Sequence, residues 1–209
     1  GRFVDGRGGE WLLRGGNVIH KSSGLPDISN RDIEVMRALG WTTIRLGTGW
    51  RWWEPTEGGY DAAYADAFTK IAERLTQAGF RVIVNMHQDT WGPPVGNGAP
   101  QWAAPSECEP AHVSLSGATG AWAADYFSPR TVCAFTNFWA DTALQEHLIE
   151  VYRIIARRLK DNPRWLGIDV FNEPFNGALA PGAFEHAALF PFYDRVAEAV
   201  HAIAPQAIL

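Results

Sequence analysis

Strand and helix patterns alternate strictly along this chain, and that alternation limits its fold more than any other feature. Thr42 to Leu46 (TTIRL), Arg81 to Met86 (RVIVNM) and Trp165 to Phe171 (WLGIDVF) are short apolar runs of the kind that fill buried strands. Trp11 to His20 leads into an earlier one. Between these runs lie stripes at helical spacing. Ile33, Met36 and Leu39 follow an S-x-x-D start at Ser29 and Asp32; Phe68, Ile71, Ala72 and Leu75 end at Gly79. Leu144, Leu148, Val151, Tyr152, Ile155 and Leu159 form one face before Pro163, and Val196, Ala199, Val200 and Ile203 precede Pro205. Ala207 to Leu209 reads as the opening of a fifth strand. Ahead of everything, FVDGRGGEWLLRG predicts a β-hairpin around Asp5-Gly6, of a type that plugs the bottom of a barrel.

Four β/α units imply a parallel sheet with helices outside it, either doubly wound or closed into a barrel. RGGNVIHKSSG lacks the G-x-G-x-x-G of a dinucleotide fold, and neither a phosphate loop nor an H-E-x-x-H metal helix occurs. The polar residues favour the barrel. His20 and Lys21 leave the first strand, Arg45 sits near the end of the second, His87, Gln88 and Asp89 leave the third, and Asn172 and Glu173 leave the fourth. In a parallel barrel all these ends share one face. A lone strand-end His or Asp is more often a cap or turn residue. Four successive strands ending in such residues are harder to ascribe to caps. The expected fold is therefore α/β: an N-terminal β-hairpin followed by the first half, about four β/α units, of a (β/α)8 TIM barrel.

Composition narrows the function. With 18 basic and 23 acidic side chains the formal charge is −5, which offers no basic footprint for nucleic acid. No apolar run is long enough for a transmembrane segment. The chain is rich in Trp (10) and Phe (11), which serve either core packing or stacking on sugar rings; most are expected in the core. Trp91, Trp102, Trp122, Tyr126 and Phe127 fall in the long stretch from Gln88 to Phe135, read as a loop walling the mouth of the cleft. Cys108 and Cys133 flank part of it, as a disulfide in an exported protein or as small hydrophobes in the cytosol.

The successive strand-end segments R-G-G-N, T-I-R-L, N-M-H-Q-D and F-N-E-P resemble glycoside hydrolase family 5. KSSGLPD, TGWRWWEP, NMHQDTWG, GNGAPQWA, AFTNFW and FNEPFNG resemble its endoglycoceramidase group, including the endogalactosylceramidase relatives, from about Leu13 through Gly177. The resemblance implies a retaining hydrolase that cuts between oligosaccharide and ceramide. Such chemistry uses two carboxyl groups about 5–5.5 Å apart, one as acid/base and one as nucleophile. Glu173 would be the acid/base and Asn172 the partner of the sugar 2-hydroxyl. His87, Asp89 and Lys21 would bind the innermost sugar, Trp122 would stack on the glycan, and Arg45 would lie beneath the nucleophile. No metal and no cofactor are implied. The expected partner is a glycolipid or oligosaccharide, with peripheral membrane contact and an extracellular location; export also favours the Cys108–Cys133 bridge.

In the family the nucleophile is a glutamate on the seventh strand. Residues 1–209 are thus expected to be a partial catalytic domain, truncated at the start of the fifth strand and inactive alone. Arg45 is then expected to lack its neutralising carboxylate. Asp169 reads as a mid-strand residue, and Glu54 and Glu57 as loop and rim residues. A steryl-glucoside, aryl-glycoside or cellulose substrate, and a half-barrel that binds sugar without cleaving it, remain the alternatives.

Overall fold

A computed structural model describes residues 3–4, 7–93, 96–108 and 122–209. Four parallel strands lie side by side in chain order: β1 (Gly15–Val18), β2 (Thr43–Thr48), β3 (Arg81–Met86) and β4 (Trp165–Asp169). The connections are α1 (Asn30–Ala38), α2 (Trp50–Trp53), α3 (Ala62–Gln77), α4 (Pro129–Ala140) and α5 (Thr142–Leu159). After β4 come α6 (Pro181–Phe184), a π-helical turn over Glu185–Leu189 and α7 (Phe190–His201). The chain then returns to the sheet. Ile208 bridges Gly167 in parallel, so Ala207 to Leu209 does open a fifth strand beside β4. Gly167 is required there: its φ is +148°, and a Cβ would lie 1.9 Å from the Ile208 carbonyl oxygen. The architecture is the first half of a (β/α)8 barrel.

Local chemistry explains the helix ends. Ser29 and Asp32 form a reciprocal capping box on α1, and Asp61 caps α3 through the Tyr64 amide. Asp141 closes α4 and caps α5, its carboxylate accepting from the Ala143 and Leu144 amides. On α5, Leu148, Val151, Tyr152, Ile155 and Leu159 are all buried, and the helix packs against both α3 and α7. Each such side chain contributes about 1.5–3 kcal/mol on burial, so this stripe alone outweighs any intrinsic helix preference.

Strand alternation sorts the two faces of the sheet. Ile44, Leu46, Val82, Val84 and Ile168 are buried, whereas Arg45, Ile83 and Asp169 are only partly so. The polar row belongs to the concave face, which in a barrel becomes the interior.

Of the N-terminal hairpin the described residues show an antiparallel bridge, Val4 with Glu10, and a Trp11-to-Phe3 backbone hydrogen bond; its Asp5-Gly6 turn lies outside them. Other readings need correction. The stretch from Gln88 to Phe135 is not loop throughout. Its end is the start of α4, capped by Ser128 with Pro129 in the first turn. Arg45 is not left without a carboxylate, because its Nε lies 2.6 Å from Asp169 Oδ2. Nor does Asp169 lie mid-strand: it is the last residue of β4, and its carboxylate reaches across the concave face to Arg45 of β2.

Candidate active site

The ends of β3 and β4 are fastened together by Gln88. Its Nε2 donates to the backbone oxygens of Asn172 (2.7 Å) and Glu173 (2.9 Å), while its Oε1 accepts from the Trp91 amide at 2.9 Å. In return the Asn172 side chain donates to the Gln88 carbonyl at 3.0 Å. These bonds hold the backbone in an unusual state: Thr90, Trp91 and Glu173 all have positive φ, at 52°, 77° and 47°. Such conformations cost on the order of 1–3 kcal/mol each and persist only where the surroundings impose them. Glu173 is thereby turned out at the mouth, with an exposed side chain.

Arg45 completes the setting from below. One guanidinium nitrogen donates to Asn172 Oδ1 at 2.9 Å while Nε pairs with Asp169. Both ends of the Asn172 amide are therefore used, and its orientation is fixed.

A second cluster adjoins the first. Asp89 Oδ2 accepts from Lys21 Nζ at 2.6 Å and Asn97 Nδ2 at 2.8 Å, and His87 Nε2 stands 3.4 Å away. His87 Nδ1 meets Asn85 Oδ1 at 3.1 Å. The loop carrying Asn97 folds back to pair with Asp89 through two backbone hydrogen bonds of 2.9 and 3.0 Å. It passes so close to the third strand end that a Cβ on Gly98 would sit 2.5 Å from the Gln88 Cα, which accounts for glycine in G-N-G-A-P. Burial alone would raise the Asp89 pKa. Hydrogen bonds from His87, Lys21 and Asn97 outweigh it and hold the carboxyl well below the usual aspartate range. A folded-state pKa below the unfolded one adds stability that is whole above the ordinary value of 3.8 and is lost as pH falls through the folded value. Asp89→Asn is expected to lower the denaturation midpoint at neutral pH, with the gap from the parent closing on acidification below 3.8. Urea titrations of both proteins from pH 7 to pH 2.5 test this, and a gap that stays constant across the range rules it out.

A third group frames Glu173. Tyr126, Phe127, Pro174, Phe175 and Ala123 surround the carboxylate in an open pocket of about 370 Å³. Tyr126 reaches it from the 3-10 turn Trp122–Phe127, just ahead of α4. Cys108 and Cys133 are joined as a disulfide, with Cα atoms 5.6 Å apart, which anchors α4 to the short turn Ser106–Cys108. Closing a loop of this length contributes about 3 kcal/mol in the chain-entropy account.

The structure thus brings Lys21, Arg45, His87, Asp89, Asn172 and Glu173 together at one end of the sheet. The Trp122 side chain lies outside the described residues. Sequence reasoning grouped Gln88 with the strand-end residues and Tyr126 with the wall of the cleft, but assigned no individual part in the site to either, or to Asn97 or Asp169. Gln88 and Asn97 both had a signal, since Gln88 stands in N-M-H-Q-D and Asn97 between two glycines in G-N-G-A-P. Glu54 moves the other way: read as a rim residue, it is fully buried away from this cleft. Among the described residues no group of three or more His, Cys, Asp or Glu is placed to hold a metal ion, and no helix is long and apolar enough to cross a membrane.

A half-barrel with a strand-end Asn-Glu pair, an arginine beneath it and a sugar-sized polar cluster beside it has the form of a glycoside hydrolase site. Residues 5–209 match the family described as Cellulase (glycosyl hydrolase family 5), and the chain belongs to that family. It is 31% identical to "Endoglycoceramidase I" of Rhodococcus hoagii, over 94% of this chain and 40% of that protein. It superposes on "Endo-glycoceramidase II from Rhodococcus sp.", solved in a cellobiose-like imidazole complex, with TM-score 0.88 and 31% identity over 99% of this chain and 49% of that one. The ganglioside GM3 complex of that enzyme gives TM-score 0.88 at 28% identity, over 99% and 50%. The chain therefore spans about half the length of the proteins it matches, or less.

Proposed function

We propose that this chain supplies the acid/base half of a retaining endo-β-glycosidase that separates an intact oligosaccharide from the ceramide of a glycosphingolipid. The observation that carries the reading is the fixed pair at the end of β4, with the Asn172 amide locked by Arg45 and Gln88 and the Glu173 carboxyl turned into the open mouth. Glu173 gives its proton to the glycosidic oxygen while a second carboxylate attacks the anomeric carbon. Ceramide leaves as the alcohol. Glu173, now ionised, takes a proton from water, which displaces the sugar with net retention. Asn172 Nδ2, Lys21, His87 and Asp89 are the groups offered to the sugar hydroxyls. The second carboxylate is proposed to come from outside these 209 residues. Asp169 is not a candidate, since Arg45 occupies it from within the sheet.

Similarity to proteins named endoglycoceramidase, one of them solved with a ganglioside, supports a glycosphingolipid over cellulose or a steryl glucoside. The Cys108–Cys133 bridge supports an exported protein. Phe127 is 70% exposed beside Glu173, which suits a rim that meets a lipid surface. The test is incubation of an intact protein carrying this chain with a fluorescent glycosphingolipid, with the first-formed anomer read by proton NMR. Intact oligosaccharide, ceramide and the β-anomer are expected; the 209-residue chain alone should release nothing. Stepwise release of monosaccharides, or the α-anomer first, overturns the reading. Turnover by the chain alone overturns the placement of the second carboxylate.

A further inference from the structure

Only one side chain among the described residues hydrogen-bonds the Glu173 carboxylate. The Tyr126 hydroxyl lies 2.9 Å from Oε2, and Oε1 has no protein partner among those residues. The direction of the Tyr126 bond follows from its neighbours. Gln88 Nε2 donates to two backbone carbonyls and Gln88 Oε1 accepts a backbone N–H, so this amide cannot be turned over. The same Nε2 faces the Tyr126 oxygen at 3.3 Å, and the Thr90 backbone also bonds that oxygen. Both Nε2 hydrogens are taken by the two carbonyls, while the Thr90 backbone N–H donates to the phenol oxygen; the phenol's own hydrogen is then directed at Glu173, whose carboxylate oxygen can only accept.

We infer that Tyr126 is a positioning residue that divides the labour of the Glu173 oxygens, holding Oε2 as a fixed acceptor so that Oε1 carries the proton given to the leaving group. This rests on the acid/base reading of Glu173. An acceptor already receiving a hydrogen bond is the poorer place for a proton, which therefore resides on Oε1, the oxygen open to the mouth. Tyr126 is suited to the task. Its ring is buried, 5.4 Å from Phe175 and 6.4 Å from Phe135 between centroids. Burial first, and the bond to Glu173 second, push its ionisation well above the usual phenol range, so it remains a donor at working pH. It also explains the aromatic turn ahead of α4: the disulfide-tied helix places a hydroxyl over the β4 end.

The experiment compares Tyr126→Phe with the parent, in an intact active protein carrying this chain, on two β-glycosides of one sugar. One has an alkyl alcohol as leaving group, which must be protonated to depart; the other has dinitrophenol, which departs without help. The value read is kcat/KM, which reports the glycosylation step. The loss on the alkyl glycoside is expected to be about tenfold or more, the scale of one hydrogen bond to a charged group, and on the dinitrophenyl glycoside about twofold or less. Equal losses on both substrates overturn the inference by making Tyr126 a packing residue, and so does no loss on either. Glu173→Gln in the same assay separates this failure from that of the underlying reading. If it too spares the alkyl glycoside, Glu173 is not the acid, and the Tyr126 role falls with it.

Discussion

Replacing Glu173 with Gln in an intact protein carrying this chain is expected to lower turnover of a glycosphingolipid by about 10²–10⁴-fold, the usual contribution of a placed proton donor. The amide has the volume of the carboxyl and an oxygen that can still accept from Tyr126, so the end of β4 should keep its shape. Gln88 holds the Glu173 peptide through its carbonyl, a contact the substitution leaves alone. Substrate affinity should therefore stay within about threefold of the parent, because only the interaction made in the transition state is removed. The same variant should retain most of its kcat/KM on a dinitrophenyl glycoside, whose departure needs no proton, while the later hydrolysis of the glycosyl-enzyme slows for want of a base. Steady-state kinetics with both substrates, and a binding titration with the glycolipid, measure all of this. A fall in turnover of less than about tenfold would remove Glu173 from the acid/base role.

Glu173 could be picked out from sequence because two independent patterns meet on it. The apolar run WLGIDVF ends where the chain turns polar, and the fold brings every such ending to one face. The same logic located Lys21, His87 and Asp89, which do meet. For β3 the bounds coincide with the reading, since Gly79 interrupts the chain before the run and His87 follows it. What escaped were residues whose roles depend on which loop crosses which strand end. Tyr126 lies 47 residues from Glu173, and Gln88 85 residues from it, and no local pattern expresses either distance. Helix α4 was missed for a different reason. Ser128-Pro129 is a regular helix start, but the aromatic run around it was read as cleft wall. Two of the rings read that way are buried: Trp91 packs on Phe135 and Phe138, and Tyr126 on Phe135 and Phe175.

The second large effect concerns Glu54, where composition pointed the wrong way. A glutamate in a turn after a strand, followed by Pro55 and three residues from Glu57, looks like solvated surface. In the fold it is 0% exposed and ties three segments together. Its carboxylate accepts from Trp50 Nε1 at 2.8 Å and from the Gly58 amide at 2.8 Å, and it meets His147 Nδ1 of α5 at 2.6 Å. Its own carbonyl accepts from Trp102 Nε1 at 3.0 Å, and the Trp102 ring stands edge-on to His147 with centroids 5.1 Å apart. Glu54→Ala would leave an indole N–H, a backbone N–H and an imidazole facing a void that none of them can fill. Each donor left without its acceptor in a buried place costs about 1–3 kcal/mol, and the Trp50 indole and the Gly58 amide both lose theirs along with the His147 contact. The expected result is a loss of about 3 kcal/mol or more in denaturant unfolding, seen as a lower midpoint with little change in slope. Glu54→Gln should cost less, because an amide oxygen can still accept from Trp50 and Gly58 while only the contact with His147 is degraded. Glu54 bonds none of the residues gathered at the cleft, so an intact protein carrying either substitution should keep its kcat where it remains folded. A destabilisation below about 1 kcal/mol for the alanine variant would return Glu54 to the surface role its sequence suggests.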